Sequence, residues 1–456
     1  MNIAFHHILI NQNGIAHSPP LGVLTLKKIL EDKGYTCSFN QFLHVKGQYL
    51  DPKLLAEQIL DTPGAAAIST MINGLPLLIM ALRLVKQQAP NKTVIVGGPG
   101  FTGVAEEAAN KFVDIDVVCF GEGEKQVVEI AEWLYKKRQI QDVSGICYRI
   151  EGKVKKTPQA ERIVALDEIP YLSLNNIDLA AYTGYPVMSS RGCPYKCSFC
   201  DVAPSWGRRN TRRSVDHVLD ELDYLYYKVG LRDIAFVDDL FIINRKWVEE
   251  FCEKKLARGN KMTWRANGHI NLSNEKLIAL MADAGCKSMF YGVESGSNYV
   301  LKKIVKQFTI EKATSILQMT QQYMKTNLNL IWGYPFEKTE DLEATLKYHR
   351  FFQQKGLNCS LVMLAPLQSA PITEEFQELI LNFKYPNIFI QDYYELKAEF
   401  SQQFESLLQS DPKVFSAFYS FASPNLASHA KVVDNYRHSL QSSNAYLTPR
   451  ELWQEV

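Results

Sequence analysis

The chain has 456 residues with a formal net charge of +1; 46% of the residues are hydrophobic and 22% are charged. This length allows two to four domains, and the composition is that of a globular protein with room for large cores. The balanced charge gives no reason to expect a nucleic-acid partner, no apolar run reaches the length of a transmembrane segment, and nine cysteines fit a reducing, cytoplasmic setting.

Residues 1–150 alternate short apolar runs with helical patterns. The strand-like runs are 3–10, 36–42, 65–70, 93–96 and 116–120. Such alternation predicts a parallel sheet with helices on both faces, in a doubly wound, Rossmann-like α/β domain. Residues 145–155 add a predicted β-hairpin whose turn is Glu151-Gly152.

Small and glycine-rich segments follow three of these predicted strands. They are Ser69-Thr70-Met71, Gly97-Gly98-Pro99 and Gly121-Glu122-Gly123. Ligands of doubly wound sheets bind beyond the carboxyl ends of the strands, and glycine lets the backbone approach a ligand closely. Taken one at a time, each segment is explained equally well as a tight turn.

A second set of strand-like runs follows a predicted linker at residues 151–184. These runs are 185–188, 233–237, 262–266, 287–291, 327–331 and 360–365. Alternating with helical patterns over residues 185–366, they predict a partial (β/α)6, TIM-like barrel with its chemistry at the carboxyl ends of the strands. Residues 367–456 are predicted to be helical. Their aromatic residues either line a substrate pocket that closes the barrel or simply form a core.

Three cysteines follow the first of these barrel runs in a C-x3-C-x2-C spacing. They are Cys193, Cys197 and Cys200, and Phe199 precedes the last of them. Thiolates hold iron–sulfur clusters, and three ligands leave one iron of a four-iron cluster open. A structural zinc site needs a fourth ligand, and no second Cys/His pair stands at suitable spacing. A disulfide framework belongs to small secreted domains.

The cysteine motif resembles the signature of the radical S-adenosylmethionine (SAM) enzymes. The resemblance implies a 4Fe-4S cluster on the three cysteines, with the open iron binding SAM and splitting it into methionine and a 5'-deoxyadenosyl radical. Further segments resemble the motifs with which the family binds SAM at its strand ends. The residues so implied are Phe199, Asp238, Asp239, Arg265, Gly292, Glu294, Ser295, Gly333, Tyr334 and Pro335.

Several of these residues also have a plain structural interpretation. Paired aspartates such as Asp238-Asp239 often cap a turn, and Arg265 suits an ion pair as well as it suits the SAM carboxylate. His269 fits a hydrogen-bonded loop histidine better than a proton donor. The arginines at 208–213 are expected to be solvated or ion-paired.

Three segments, taken in order, resemble the cobalamin-binding domain of cobalamin-dependent radical SAM enzymes: Pro19-Pro20-Leu21-Gly22 at the start of the first helix, Gly97-Gly98-Pro99, and Gly121-Glu122-Gly123-Glu124. The cobalamin contacts that this resemblance implies are Leu21, Ser69, Thr70, Met71, Gly97, Gly98, Pro99, Gly121, Glu122 and Gly123. The Asp-x-His-x-x-Gly motif that supplies a histidine ligand to cobalt in other cobalamin proteins is missing, because His17 has Ile15 and Pro20 at the flanking positions. His17 is therefore predicted to be a loop histidine.

Together, the two resemblances imply a cobalamin-dependent radical SAM enzyme that methylates an unactivated carbon. The radical would abstract a hydrogen atom, and the substrate radical would take its methyl group from methylcobalamin. The implied partners are a small-molecule or peptide substrate and an electron donor such as flavodoxin or ferredoxin. Two alternatives remain: a radical cyclase, epimerase or rearrangement enzyme without methyl transfer, and a non-catalytic cobalamin or iron–sulfur sensor.

Overall fold

The computed structural model describes residues 2–10, 18–43, 49–172, 174, 177–380 and 396–441, so His17 lies outside the described residues. Contacts divide the chain into two compact units. The first is Met1–Thr183 with Ile390–Phe418, and the second is Gly184–Phe389 with Tyr419–Val456. Among the described residues, no helix combines the length and apolar character that crossing a membrane requires.

The described part of the first unit forms a sheet of seven strands. They are β1 Ile3–Leu9, β2 Cys37–Leu43, β3 Ala65–Thr70, β4 Val94–Gly97, β5 Val117–Cys119, β6 Ile146–Ile150 and β7 Lys153–Lys156. The helices that alternate with them are α1 Leu21–Asp32, α2 Pro52–Leu60, α3 Leu75–Gln88, α4 Pro99–Thr102, α5 Ala105–Lys111 and α6 Gly123–Leu134. All five predicted strands are present.

The strand order is β2-β1-β3-β4-β5-β6-β7, and the first five strands run parallel. This is a doubly wound order in which the strand order reverses between β1 and β3, and ligands of such sheets bind at that point. The hairpin β6–β7 adds an antiparallel edge. Its turn residues Glu151 and Gly152 both have positive φ, at 48° and 76°, as a two-residue hairpin turn requires.

Burial on both faces explains the apolar strands of this sheet. Ile3 and Phe5 of β1 pack with Val23 of α1 and Val127 of α6 in one core cluster. Those side chains are at most 7% exposed. The helices are therefore held to the sheet by their apolar faces.

The second unit contains a sheet of six strands among its described residues. They are β8 Pro186–Val187, β11 Asp233–Phe236, β12 Thr263–Gly268, β13 Cys286–Glu294, β14 Lys325–Trp332 and β15 Asn358–Met363. A separate two-stranded ribbon pairs β9 Ser190–Arg191 with β10 Thr211–Arg212. The intervening helices are α7 Val202–Trp206, α8 Val215–Asp223, α9 Arg245–Arg258, α10 Glu275–Asp283, α11 Asn298–Lys303, α12 Ile310–Gln321 and α13 Thr339–Gln354.

The six strands pair in chain order, and every pair is parallel. Within the described residues no ladder joins β8 to β15. The sheet therefore has the strand order of the predicted partial barrel, and the loops after its strands lie at one edge.

The C-terminal region contributes to both units. A helix at Ala398–Ser410 belongs to the first, where Lys397 forms an ion pair with the buried Asp51. The C-terminal helix, Leu426–Gln441, belongs to the second. Phe415 and Phe418 are fully buried, so these aromatic residues form a core.

A buried ion pair fixes the segment after the cysteine loop to the barrel. Arg213 donates to Glu221 at 2.6 Å and to the carbonyl of Met188 at 2.8 Å. The Arg213 and Glu221 side chains are 6% and 5% exposed. The predicted ion-paired role of the arginines is thus found at Arg213.

We expect Arg213→Met to destabilise the protein by about 3–5 kcal/mol, because it leaves the Glu221 charge buried without a partner. Chemical denaturation followed by circular dichroism measures the change. The matched control is Arg245→Met, which breaks the exposed Arg245–Glu249 pair and should cost less than about 1 kcal/mol. Equal losses in the two variants would contradict the assignment.

Candidate active site and cofactor sites

The three motif cysteines lie on one loop between β9 and α7. All three thiols are free and half-buried. Burial raises the pKa of each, that of Cys200 to about 12, so a metal must displace the thiol protons. Among the described residues, no three His, Cys, Asp or Glu side chains are grouped tightly enough for a single metal ion. Three free thiols on one loop are the kind of ligand that an iron–sulfur cluster uses.

Two aspartates that follow β11 hold the start of this cysteine loop. Asp238 is fully buried and accepts hydrogen bonds from Ser189 N at 2.7 Å, from the Ser189 hydroxyl, and from Ser190 Oγ at 2.7 Å. Asp239 Oδ2 accepts from Gly192 N at 2.8 Å. Both predicted residues therefore lie at the cysteine loop, where they position its backbone. Direct contact with SAM stays a prediction for them.

Glu294, at the end of β13, forms a buried ion pair with Lys306. The Lys306 ammonium lies 3.4 Å from Glu294 Oε1, and both side chains are less than 10% exposed. Burial raises the pKa of Glu294. Its backbone has φ +77° beside a strand irregularity, and a Cβ on Gly292 would lie 2.1 Å from Glu294 Oε1. A side chain at position 292 would therefore force the Glu294 carboxylate to move.

Lys306 is a site residue that the sequence analysis missed. Its ammonium lies 5.7 Å from the ring centre of Phe199, inside the cysteine loop. It therefore brings a buried positive charge to the cysteines, and such a charge can hold a carboxylate. Lys306 follows α11 and stands twelve residues after Glu294, a spacing without helical or strand periodicity, so no sequence signal identified it.

The turn after β14 also lies against the cysteine loop. Tyr334 is 1% exposed, and its ring meets Phe199 edge-on at 6.5 Å. Gly333 has φ +90°, and its N–H donates to Glu337 Oε2 at 2.7 Å. Pro335 is half-buried. The structure thus brings Asp238, Asp239 and Tyr334 to the cysteine loop, and it links Glu294 to that loop through Lys306.

Ser295 and Arg265 have structural partners instead. The fully buried Ser295 hydroxyl pairs with Thr345 Oγ1 at 3.1 Å. Arg265 forms a 3.2 Å ion pair with Asp233 at the amino end of β11, the end opposite Asp238. Contact of Ser295 and Arg265 with SAM stays a prediction. Arg265 forms an ion pair, which is the structural role that the sequence also allowed.

His269 stacks on a ring of the cysteine loop. Its ring centre lies 4.1 Å from that of Tyr195, with the planes 16° apart. His269 Nδ1 accepts from Asn271 N at 3.2 Å, and burial lowers its pKa to about 3. The imidazole is therefore neutral, as expected of a hydrogen-bonded loop histidine.

In the first unit, the loops after β3 and β4 contact each other through glycine. A Cβ on Gly98, whose φ is +89°, would lie 2.5 Å from Ser69 Oγ. A Cβ on Gly100 would lie 2.9 Å from the carbonyl oxygens of Thr70 and Met71. Met71 remains 48% exposed, and Gly97 and Pro99 are on the facing loop. The predicted cobalamin residues of these two loops thus form one surface with an exposed apolar side chain.

The third predicted loop lies at the start of α6. Gly121 has φ +83°, and Glu122 accepts a hydrogen bond from Ile163 N. A Cβ on Gly123 would lie 3.1 Å from the Leu26 side chain of α1, the helix that Leu21 begins. Gly123 therefore allows the amino end of α6 to approach α1.

Comparisons with known proteins assign the two units separately. A family model of the B12 binding domain matches residues 15–131. A model of the radical SAM superfamily matches residues 187–349. A radical SAM domain uses a 4Fe-4S cluster and SAM, and a B12-binding domain uses cobalamin, so these are the three cofactors of the combined family.

Two curated proteins are similar to this chain over much of its length. An uncharacterized methyltransferase of Pyrococcus horikoshii is 33% identical over 58% of this chain and 59% of its own length. The anaerobic magnesium-protoporphyrin IX monomethyl ester cyclase of Cereibacter sphaeroides is 27% identical over 84% of this chain and 65% of its own. The chain thus spans less than two thirds of either relative.

A solved structure extends the likeness in fold to nearly the whole chain. The cobalamin-dependent SAM radical enzyme OxsB superposes with a TM-score of 0.69 over 99% of this chain and 70% of that one, at 18% identity. At that identity the match shows the fold alone. The two family-model matches therefore give this chain a B12-binding domain over residues 15–131 and a radical SAM domain over residues 187–349.

Proposed function

We propose that this chain is a cobalamin-dependent radical SAM enzyme that cleaves SAM reductively and methylates an unactivated carbon of a natural-product, lipid or peptide substrate. The observation that carries the proposal is the cysteine loop, with three free thiols beside the Glu294–Lys306 pair. The similarity to a methyltransferase of Pyrococcus horikoshii favours methyl transfer. An electron donor such as flavodoxin or ferredoxin would supply the reducing electron.

The residues at the loop have separable roles in this proposal. When bound, the cluster and SAM supply a 5'-deoxyadenosyl radical and cobalamin carries the methyl group. Cys193, Cys197 and Cys200 hold the irons as thiolates. Lys306 attracts the SAM carboxylate, while Glu294 accepts hydrogen bonds from its ammonium or ribose hydroxyls. The buried ring of Tyr334, against Phe199, keeps water from this side of the loop.

A radical cyclase is the second candidate, because a cyclase is similar to this chain over 84% of its length. It would use the same cysteines and the same SAM contacts. The two candidates differ in methyl transfer: the methyltransferase would transfer the methyl group of SAM, and the cyclase would not. A sensor protein would catalyse neither methyl transfer nor cyclisation.

We expect the anaerobically purified protein, with reconstituted cluster and hydroxocobalamin, to convert methyl-deuterated SAM into 5'-deoxyadenosine and S-adenosylhomocysteine after reduction. Mass spectrometry measures both products and the label recovered with cobalamin. Cys197→Ala should abolish 5'-deoxyadenosine formation, because it removes an iron ligand. 5'-Deoxyadenosine without S-adenosylhomocysteine would favour the cyclase, and neither product would favour the sensor.

We expect Asp238→Asn to retain less than about half of the wild-type iron, because an amide cannot accept all the hydrogen bonds that hold Ser189 and Ser190. Iron analysis and visible absorbance of the reconstituted protein measure the loss. The control is Asp233→Asn, at the other end of the same strand, which should retain normal iron. Normal iron in Asp238→Asn would show that this carboxylate does not position the cysteines.

We expect Met71→Glu to weaken retention of cobalamin about tenfold, because it places a charge on the apolar surface at the carboxyl ends of β3 and β4. Absorbance of the cobalt-containing fraction after gel filtration measures retention. The control is Val113→Glu, which changes a side chain that is 68% exposed near the amino end of β5. Equal retention by the two variants would place cobalamin elsewhere.

A further inference from the structure

One buried carboxylate closes the turn after β14. Glu337 is 2% exposed, and its Oε2 accepts the N–H of Gly333 at 2.7 Å. The backbone N–H of Glu337 donates in turn to the carbonyl of Tyr334 at 3.0 Å. The conformation of the Gly333–Tyr334 segment, which lies against Phe199 of the cysteine loop, therefore depends on where the Glu337 carboxylate is held.

The C-terminal helix supplies the partner of that carboxylate. His429 is 1% exposed, and its Nδ1 lies 3.7 Å from the same Oε2 of Glu337. Asn425 Nδ2, from the start of the helix, donates to the Glu337 carbonyl at 3.4 Å. Glu337 Oε1 and His429 Nε2 have no hydrogen-bond partner among the described residues. The pair is thus isolated from water, and each side chain depends on the other.

A buried carboxylate is costly unless a partner compensates it. Burial raises the pKa of Glu337, and the nearby Asp341 acts in the same direction, whereas His429 lowers it. Removing His429 would therefore leave Glu337 with the Gly333 N–H as its remaining side-chain partner. A less firmly held carboxylate would release the turn.

We propose that His429 is a positioning residue for SAM, which acts through Glu337 to hold the Gly333–Tyr334 turn in its binding conformation. The proposal rests on the proposed function, since it takes this turn as part of the SAM site. It assigns the C-terminal helix, which lies outside the matched radical SAM domain, a part in cofactor binding. SAM affinity then depends on the contact between His429 of this helix and Glu337.

The same helix offers a matched control. His349 Nδ1 lies 2.8 Å from the hydroxyl of Tyr436, and Arg350 donates to Ser439 at 3.1 Å. These contacts join the helix to α13, and none of them involves the turn after β14. His349 is also buried, at 3% exposure. A substitution there disturbs helix packing without touching Glu337.

The test is the affinity of the full-length, cluster-reconstituted protein for SAM, measured by equilibrium dialysis without reductant so that SAM is not cleaved. We expect His429→Leu to raise the dissociation constant about tenfold. His429→Asn should restore affinity to within about threefold of the wild type, because its amide can replace Nδ1. His349→Leu should leave affinity within about twofold, although it lowers the melting temperature similarly.

A double variant tests the route through Glu337. Glu337→Gln keeps an acceptor for Gly333 but removes the charge, so His429→Leu added to it should change affinity by less than about twofold further. Three results would overturn the proposal that His429 acts through Glu337. They are equal losses of affinity in His429→Leu and His349→Leu, no loss in His429→Leu, and independent effects of the two substitutions in the double variant. Failure of the wild type to bind SAM would instead refute the proposed function, and with it the role of His429.

Discussion

Four hydrogen-bond donors and one arginine surround the carboxylates of Asp238 and Asp239 at the end of β11. Ser189, Ser190 and Gly192 donate to them, and the Arg212 guanidinium lies 3.9 Å from Asp238. Because Asp238 is fully buried, its charge is tolerable only while these donors stay in place. The start of the cysteine loop is therefore fixed to the barrel by the need to satisfy one charge.

The same principle organises the rest of the second unit. Glu294 is held by Lys306, Glu221 by Arg213 and Glu337 by His429, and each carboxylate is buried. The first two pairs join residues twelve and eight positions apart in the chain, whereas the Glu337–His429 pair joins segments that are distant in the chain. Removing either partner of such a pair would leave a charge or a polar group buried without compensation. The positions of the loops around the cysteines thus depend on these pairs of buried charged or polar side chains.

Much of this architecture follows from local sequence patterns. Apolar runs predict the strands because most of the strands are largely buried, and the cysteine spacing is contained in eight residues. Glycines at 98 and 292 signal close approaches that the structure contains. The partners Lys306 and His429 were not predictable, because an ion pair across distant segments leaves no periodicity in a single sequence. Asp238 was placed correctly at a strand end, but a carboxylate after a strand looks the same whether it faces a ligand or the neighbouring loop.

The division of the C-terminal region between the two units has a consequence for how the chain is made. The first unit is completed by Ile390–Phe418, which follows most of the second unit in the sequence. A ribosome must therefore synthesise both sheets before the helix at Ala398–Ser410 can pack on the first. Neither unit can be obtained intact by cutting the chain once, and exchange of one unit between relatives would need more than one junction.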